Sequence, residues 1–258
     1  MPADRGVTTV VHGIDQLERA HGPVFVVVGV FDGLHRGHAY LLGHLVAEAS
    51  KQAAKPTVIT FDHHPDEILV GTAPPLLCDP DERLELLARA GVAVTVVQTF
   101  DVALRMTAYD EFIRRIAARV HLAGFLMTPD AAFGHDRGGT VETVTELGRT
   151  MGFDVAVVPP FELDGRPVRS SDIRAAIASG DLVTAERLLG RPYSVVGAMH
   201  EGALKFPMPV ALPPPGRYRV SADDRPTTIS VVSGGSIQVG EGRRRSDIRL
   251  RVTFDVHP

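Results

Sequence analysis

Two histidines three residues apart, His35 and His38, flank Gly37 in the stretch Gly29-Val30-Phe31-Asp32-Gly33-Leu34-His35-Arg36-Gly37-His38. An apolar run, Val24–Val30, precedes them, and a helical pattern, His38–Lys51, follows. The pair therefore falls where a buried strand hands over to a helix. A helix start offers free backbone N–H groups and a partial positive charge, so anions bind there. The three-residue spacing puts both imidazoles on one face of the helix start. Two imidazole donors at such a place suit the phosphates of a nucleotide and the charge that develops during transfer. Gly33 permits a tight turn, and Gly37 lets a ligand approach the backbone. Zinc is another ligand that histidine favours, but neither a Cys cluster nor H-E-x-x-H accompanies the pair. Two exposed histidines on an ordinary helix start are the plain alternative.

A second constellation lies at Val168-Arg169-Ser170-Ser171-Asp172-Ile173-Arg174. Ser170 and Ser171 precede a helical segment, Asp172–Ser179, so their hydroxyls are expected to cap it and to contact phosphate. Arg174 lies one turn in, and its guanidinium suits a phosphate fork. Arg166 and Arg169 are possible helpers. By itself this stretch also fits an ordinary cap with a surface arginine. Neither G-x-x-x-x-G-K-[ST] nor a G-x-G-x-x-G after the first strand occurs, which argues against a P-loop and a dinucleotide site.

The elements that must carry these residues alternate. Apolar runs at Val24–Val30, Thr57–Phe61, Val92–Phe100, Gly124–Met127 and Asp154–Val158 read as buried parallel strands. Helical patterns fall at His38–Lys51, Pro80–Ala90, Ala108–Val120 and Val141–Met151. For the second of these, Asp79 is the expected cap, Pro80 the first residue, Glu82 the closing member of a capping box and Gly91 the stop. Strict alternation predicts an α/β doubly wound parallel sheet with right-handed crossovers and ligands at the carboxyl ends of the strands. Two short helices, Asp172–Ser179 and Leu182–Leu189, follow. From Arg191 the composition shifts to proline-rich sequence and then to period-two alternation at Thr227–Val232 and Ile248–Val256, which predicts a small antiparallel β module. Gly240–Arg245 reads as a basic, solvated turn.

Composition narrows the classes. The 258 residues are 44% apolar and 22% charged, an ordinary globular balance. Against 31 acidic residues stand 27 basic ones, a net charge of −4, which argues against a nucleic-acid partner. Cys78 is the single cysteine, so no internal disulfide forms, and a reducing compartment is expected. The beginning of the chain lacks a charged stretch followed by an apolar one, and no apolar run reaches about 18 residues. A cytoplasmic protein without a membrane partner is the expectation.

The His35–His38 segment resembles the G-x-F-D-G-x-H-x-G-H signature of FAD synthetases, the FMN adenylyltransferase domains of bacterial bifunctional riboflavin kinase/FAD synthetase proteins. These belong to the H-x-G-H nucleotidylyltransferases, whose Rossmann-like sheet the resemblance implies here. Thr60-Phe61-Asp62-His63-His64-Pro65 resembles T-F-[DE]-P-H-P, with His63 in place of proline. The stretch L-L-C-D-P-D-E-R-L-E-L-L-A-R-A-G-V, ending at Val92, resembles L-L-T-x-x-E-R-x-x-L-L-x-x-x-G-V. Asp130, Phe133 and Gly134 resemble part of G-x-[DN]-F-x-F-G, with Thr128 and Ala131 as departures, and V-R-S-S-D-I-R resembles V-S-S-T-x-I-R.

The resemblance implies catalytic roles for His35, His38 and Arg174. It implies ATP contacts from Gly29, Phe31, Asp32, Gly37, Ser170 and Ser171, and flavin contacts from His64, Pro65, Asp130 and Phe133. It implies ATP and FMN as substrates, with Mg²⁺ carried on the triphosphate and no metal-binding residues of the protein's own. Residues 1–190 would form the adenylyltransferase and residues 191–258 a truncated, inactive riboflavin kinase module. Where that kinase carries G-F-P-T-A-N, this chain has Lys205-Phe206-Pro207-Met208-Pro209-Val210, and methionine and valine offer Mg²⁺ no hard oxygen. A different phosphorylated acceptor, or a non-catalytic flavin- or nucleotide-binding regulator, is the competing reading.

Overall fold

A computed structural model of the chain describes residues 8–239 and 248–256, so the basic turn expected at 240–245 lies outside the described residues. The residues gather into two compact units. Among the described residues, one comprises 8–31, 38–73 and 84–161, and the other 32–37, 74–83, 162–239 and 248–256.

The first unit is built on a parallel sheet. Its strands are β1 (Thr9–His12), β2 (Val24–Val28), β3 (Lys55–Phe61), β4 (Val94–Gln98), β5 (Leu122–Met127) and β6 (Asp154–Val157), in the order β1-β4-β3-β2-β5-β6. Every neighbouring pair runs parallel. The expected doubly wound sheet is there, one strand wider than the sequence suggests. β1 escapes sequence reading because it is four residues long with only Val11 buried. β2 and β5 are buried almost throughout, since parallel strands are covered on both faces.

Helices α1 (Arg36–Lys51), α2 (Pro65–Leu69), α3 (Pro80–Arg89), α4 (Val102–Arg105), α5 (Tyr109–Arg119) and α6 (Val141–Met151) connect the strands. α1 and α3 each contribute to both units. Phe112, Ile113 and Ile116 of α5 and Val144 and Leu147 of α6 pack on Val24, Val26, Val94, Val96 and Phe125 as one apolar cluster. Spacing of three and four in the helices and of two in the strands brings these side chains together. Strand order reverses at β2, which lies between β3 and β5. Such a switch point is where open α/β sheets bind ligands, beyond the carboxyl ends of the strands.

The second unit contains a short hairpin, β7 (Glu162–Leu163) with β8 (Arg166–Pro167), and helices α7 (Ser170–Ser179) and α8 (Leu182–Leu189). Its remaining strands are β9 (Ser194–His200), β10 (Ala203–Lys205), β11 (Gly216–Ala222), β12 (Arg225–Val232), β13 (Ser236–Val239) and β14 (Arg249–Phe254). They close an antiparallel barrel in the order β10-β13-β12-β11-β14-β9. Period-two patterning places Val220, Ile229, Val231, Ile237, Leu250, Val252 and Phe254 inside. Tyr193 stacks on Phe254 with ring centroids 5.8 Å apart.

Two local expectations are corrected. Asp79 does cap α3, accepting from the amides of Asp81 and Glu82, but Glu82 closes no capping box. Its carboxylate accepts instead from the Ser194 hydroxyl and the Arg251 guanidinium, which only the barrel supplies. α7 begins at Ser170, with Arg169 at the cap position and no side-chain cap. Ser170 and Ser171 therefore lie inside the first turn rather than before it.

Candidate active site

In the first unit, β2 ends at Val28 and the chain continues through Gly29, Val30 and Phe31. Phe31 takes a left-handed backbone (φ 53°), and its ring covers Gly29, where a Cβ would come within 3.0 Å. The Phe31 and His38 rings lie 5.1 Å apart, so the buried phenylalanine sets one side of the His38 imidazole.

The other signature residues belong to the second unit. Gly33 (φ 77°) and Leu34 (φ 33°) continue the left-handed turn, and a Cβ on Gly33 would meet Leu77 at 2.8 Å. A run of strained conformations of this kind is characteristic of ligand sites. His35 is 5% exposed. Burial, and then the nearby charges of Arg191 and Arg174, push its pKa down to about 4. It is therefore a neutral imidazole at neutral pH, able to donate one hydrogen bond without carrying charge. The close approach expected at Gly37 is made by this same ring. A Cβ there would lie 3.1 Å from the imidazole and 3.3 Å from the Val168 carbonyl. His35 stands just ahead of α1, and His38 is its third residue.

Asp32 is 3% exposed and surrounded by donors. Its carboxylate accepts from the Leu77 amide at 2.9 and 3.0 Å, from the Cys78 amide at 3.3 Å and from Arg174 at 2.6 Å. Arg174 also donates through Nε to the Pro75 carbonyl at 2.7 Å. The Ser170 hydroxyl donates to the Asp32 carbonyl at 3.3 Å. Ser170, Arg174 and Asp32 thus meet although 138 to 142 residues separate them. Ser171 lies exposed beside them on the first turn of α7. Sequence reading finds each of these residues but not their pairing, because neither spacing nor periodicity reports a contact across such a gap.

The flavin candidates lie on the first unit, in loops that follow β3 and β5. His64 caps α2, its Nδ1 accepting from the Asp66 amide at 3.2 Å, and Pro65 is the first helical residue. Asp130 is exposed and accepts from the Thr128 hydroxyl at 2.8 Å. Phe133 is half-buried between Phe125, stacked at 6.0 Å, and Phe112, edge-on at 5.9 Å. Packing thus accounts for Phe133, while Asp130 presents its carboxylate to solvent.

Cys78 is buried, and its Sγ accepts from the Gly33 amide at 3.3 Å. Burial and the Asp32 charge push its pKa up to about 12, so it remains a thiol. The donors gathered in the second unit, the Arg174 guanidinium and the Ser170 and Ser171 hydroxyls, suit an anionic ligand.

Residues 17–172 match the FAD synthetase family model. The chain belongs to the FAD synthetase family. A Pseudomonas fluorescens relative, a bifunctional riboflavin kinase/FMN adenylyltransferase, is 30% identical over 83% of this chain and 72% of its own length. One of the same name from Haemophilus influenzae is also 30% identical, over 74% of this chain and 63% of its own length. A Listeria monocytogenes FAD synthetase is 26% identical over 83% of this chain and 86% of its own. The crystal structure titled as a macrolide-efflux protein from Streptococcus pneumoniae shares the fold, with TM-score 0.78 and 23% identity over 96% of this chain and 89% of that one. The family read from the motifs is thereby shown. Among the described residues no helix is long and apolar enough to cross a membrane.

Proposed function

We propose that this member of the FAD synthetase family transfers the adenylyl group of ATP to FMN. An FMN phosphate oxygen attacks the α-phosphorus in line. The new P–O bond forms as the bond to the β-phosphate bridging oxygen breaks, and pyrophosphate leaves. The attacking oxygen is already anionic, so the step needs no general base. Catalysis is then positioning and charge stabilisation. His38 and the neutral His35 donate to triphosphate oxygens, and Arg174 takes the charge that moves onto pyrophosphate. Ser170 and Ser171 add hydroxyl donors. Asp130, His64 and Pro65 contact the flavin. Mg²⁺ carried on the nucleotide would neutralise triphosphate charge, and no residue of the chain is assigned to hold it.

The observation that carries the reading is the neutral His35 held beside Arg174 in a left-handed turn that leads straight into α1. A neutral donor stabilises a developing charge without binding the ground-state anion as tightly as a cation would.

The division of labour is part of the same proposal. Residues 1–190 carry the transferase, and residues 191–258 carry no riboflavin kinase activity. Met208 and Val210 support this, because neither side chain offers oxygen to Mg²⁺.

The test incubates purified protein with ATP and Mg²⁺ and with either FMN or riboflavin, followed by chromatography of the flavins and assay of pyrophosphate. FAD and pyrophosphate in equal amounts from FMN, with riboflavin untouched, is the expected result. FMN left unconsumed refutes the acceptor assignment, and FMN formed from riboflavin refutes the loss of the kinase.

A further inference from the structure

The transfer reaction by itself assigns no role to the barrel of the second unit. The segment Pro75–Cys78 provides the connection. Its Leu76 forms a parallel bridge with Val210, donating to the Pro209 carbonyl at 2.9 Å and accepting from the Ala211 amide at 2.9 Å. The next two amides, those of Leu77 and Cys78, donate to Asp32, and the preceding carbonyl, that of Pro75, accepts from Arg174. Asp32 completes the circuit by pairing with Arg174. On the barrel side, the Tyr193 hydroxyl donates to the Ala211 carbonyl at 2.6 Å, and the Tyr193 ring stacks on Phe254 of β14. The loop that carries Met208 and Val210 is thus used through its backbone.

We propose that the barrel is a positioning element of the transferase, holding Arg174 through Asp32 and the bridged segment Pro75–Cys78, and that Asp32 is a positioning residue rather than an ATP ligand. The proposal rests on the FMN adenylyl-transfer reading for its kinetic consequence. Asp32 is ill suited to touching a triphosphate, since a carboxylate repels it. Its buried oxygens instead fix a guanidinium that has several rotatable bonds. Held by Asp32 at one nitrogen and by Pro75 at another, Arg174 has little rotamer freedom left. An orientation held in advance is one that the transition state need not impose. The same circuit explains why residues 32–37 and 74–83 gather with the barrel rather than with the parallel sheet.

The experiment uses the full chain with two substitutions, Asp32→Asn and Tyr193→Phe, alone and together. Asp32→Asn keeps the shape and one acceptor but removes the charge on Arg174. Tyr193→Phe removes one hydroxyl on the barrel side. The expected result for Asp32→Asn is a fall in kcat of about tenfold or more, with the KM for ATP changed less than about threefold. Tyr193→Phe shows a smaller fall in kcat, and the double variant falls less than the product of the two. Amide hydrogen exchange over residues 76–78 is read in parallel and speeds up in both single variants. Folded variants that keep wild-type kcat overturn the proposal, as does exchange at 76–78 that does not respond. If the wild type makes no FAD, the acceptor assignment fails, while the exchange measurement still reads the linkage.

Discussion

Glu82 and Arg251 form an ion pair across 169 residues, joining the first turn of α3 to strand β14. Glu82 is 4% exposed and also accepts from the Ser194 hydroxyl. Arg249, two residues before Arg251 on the same strand, pairs with Asp79 and Asp81. The acidic start of α3 thus meets a pair of arginines that alternate with barrel-core residues.

Removing Arg251 leaves a buried carboxylate with the Ser194 hydroxyl alone. A fully buried pair broken in this way costs about 3–5 kcal/mol. Arg251 is 38% exposed, so water already shares in solvating the pair, and the expected loss for Arg251→Ala is nearer 1–2 kcal/mol. Arg251→Ala with Glu82→Gln recovers part of it, because the uncompensated charge is gone. Urea unfolding of the three variants checks this. A single variant as stable as the wild type contradicts the coupling.

The same region shows which features were legible in the sequence. Asp79, Pro80 and the stop at Gly91 were readable because a cap and a terminator act within one turn. The partner of Glu82 was not, because Arg251 arrives by barrel closure. The His35–His38 signature is readable as a handover from strand to helix, yet the Arg191 and Arg174 charges that add to the effect of burial on His35 come from far along the chain. Ser170 reads as a cap in the sequence because hydroxyls before an apolar period usually are. In the fold its hydroxyl goes to the Asp32 carbonyl, and the helix starts at Ser170 itself. β1 carries one buried side chain, which is too little periodicity to announce a strand.

His35 makes stability depend on pH with a definite sign. Its folded pKa is about 4, below the ordinary 6.5. Between these values the unfolded chain holds the extra proton, so acid favours unfolding. The contribution is fully present above about pH 6.5 and is lost as pH falls towards 4. Over the whole window it amounts to about 3 kcal/mol. His35→Gln removes this titration while carboxylates elsewhere still respond. Urea midpoints from pH 7 to 4.5 should therefore fall more steeply in the wild type than in the variant. Parallel pH curves would show that His35 titrates normally.

Cys78 should be chemically silent. With a pKa of about 12 and 4% exposure, it presents almost no thiolate at pH 8 and little access to a reagent. A chromogenic disulfide reagent should release no colour from the native protein and one equivalent after denaturation in urea. Adenylyl transfer should survive the same treatment of the native protein. Rapid native labelling at pH 8 would place the thiol in a more open setting than this one.

Arg174 has two roles that can be separated. It neutralises Asp32, and it is assigned to the charge that moves onto pyrophosphate. Arg174→Ala removes both and leaves a carboxylate at 3% exposure facing only backbone amides and a thiol, for a loss of about 3–5 kcal/mol. Arg174→Ala with Asp32→Asn removes the stranded charge, and the amide still accepts from Leu77, so most of the stability should return. Activity should not return with it, since no group replaces the guanidinium. Arg174→Lys keeps a charge but not the fork that reaches Asp32 and the Pro75 carbonyl together, so it should fall between the wild type and Arg174→Ala. In all three variants the deficit should lie in kcat rather than in the KM for ATP, because the contact strengthens as pyrophosphate departs. Thermal unfolding and steady-state kinetics on the same preparations check both halves. Recovery of activity along with stability in the double variant would show that Arg174 serves the fold alone, and a deficit confined to KM would show that it binds ATP without favouring the transition state.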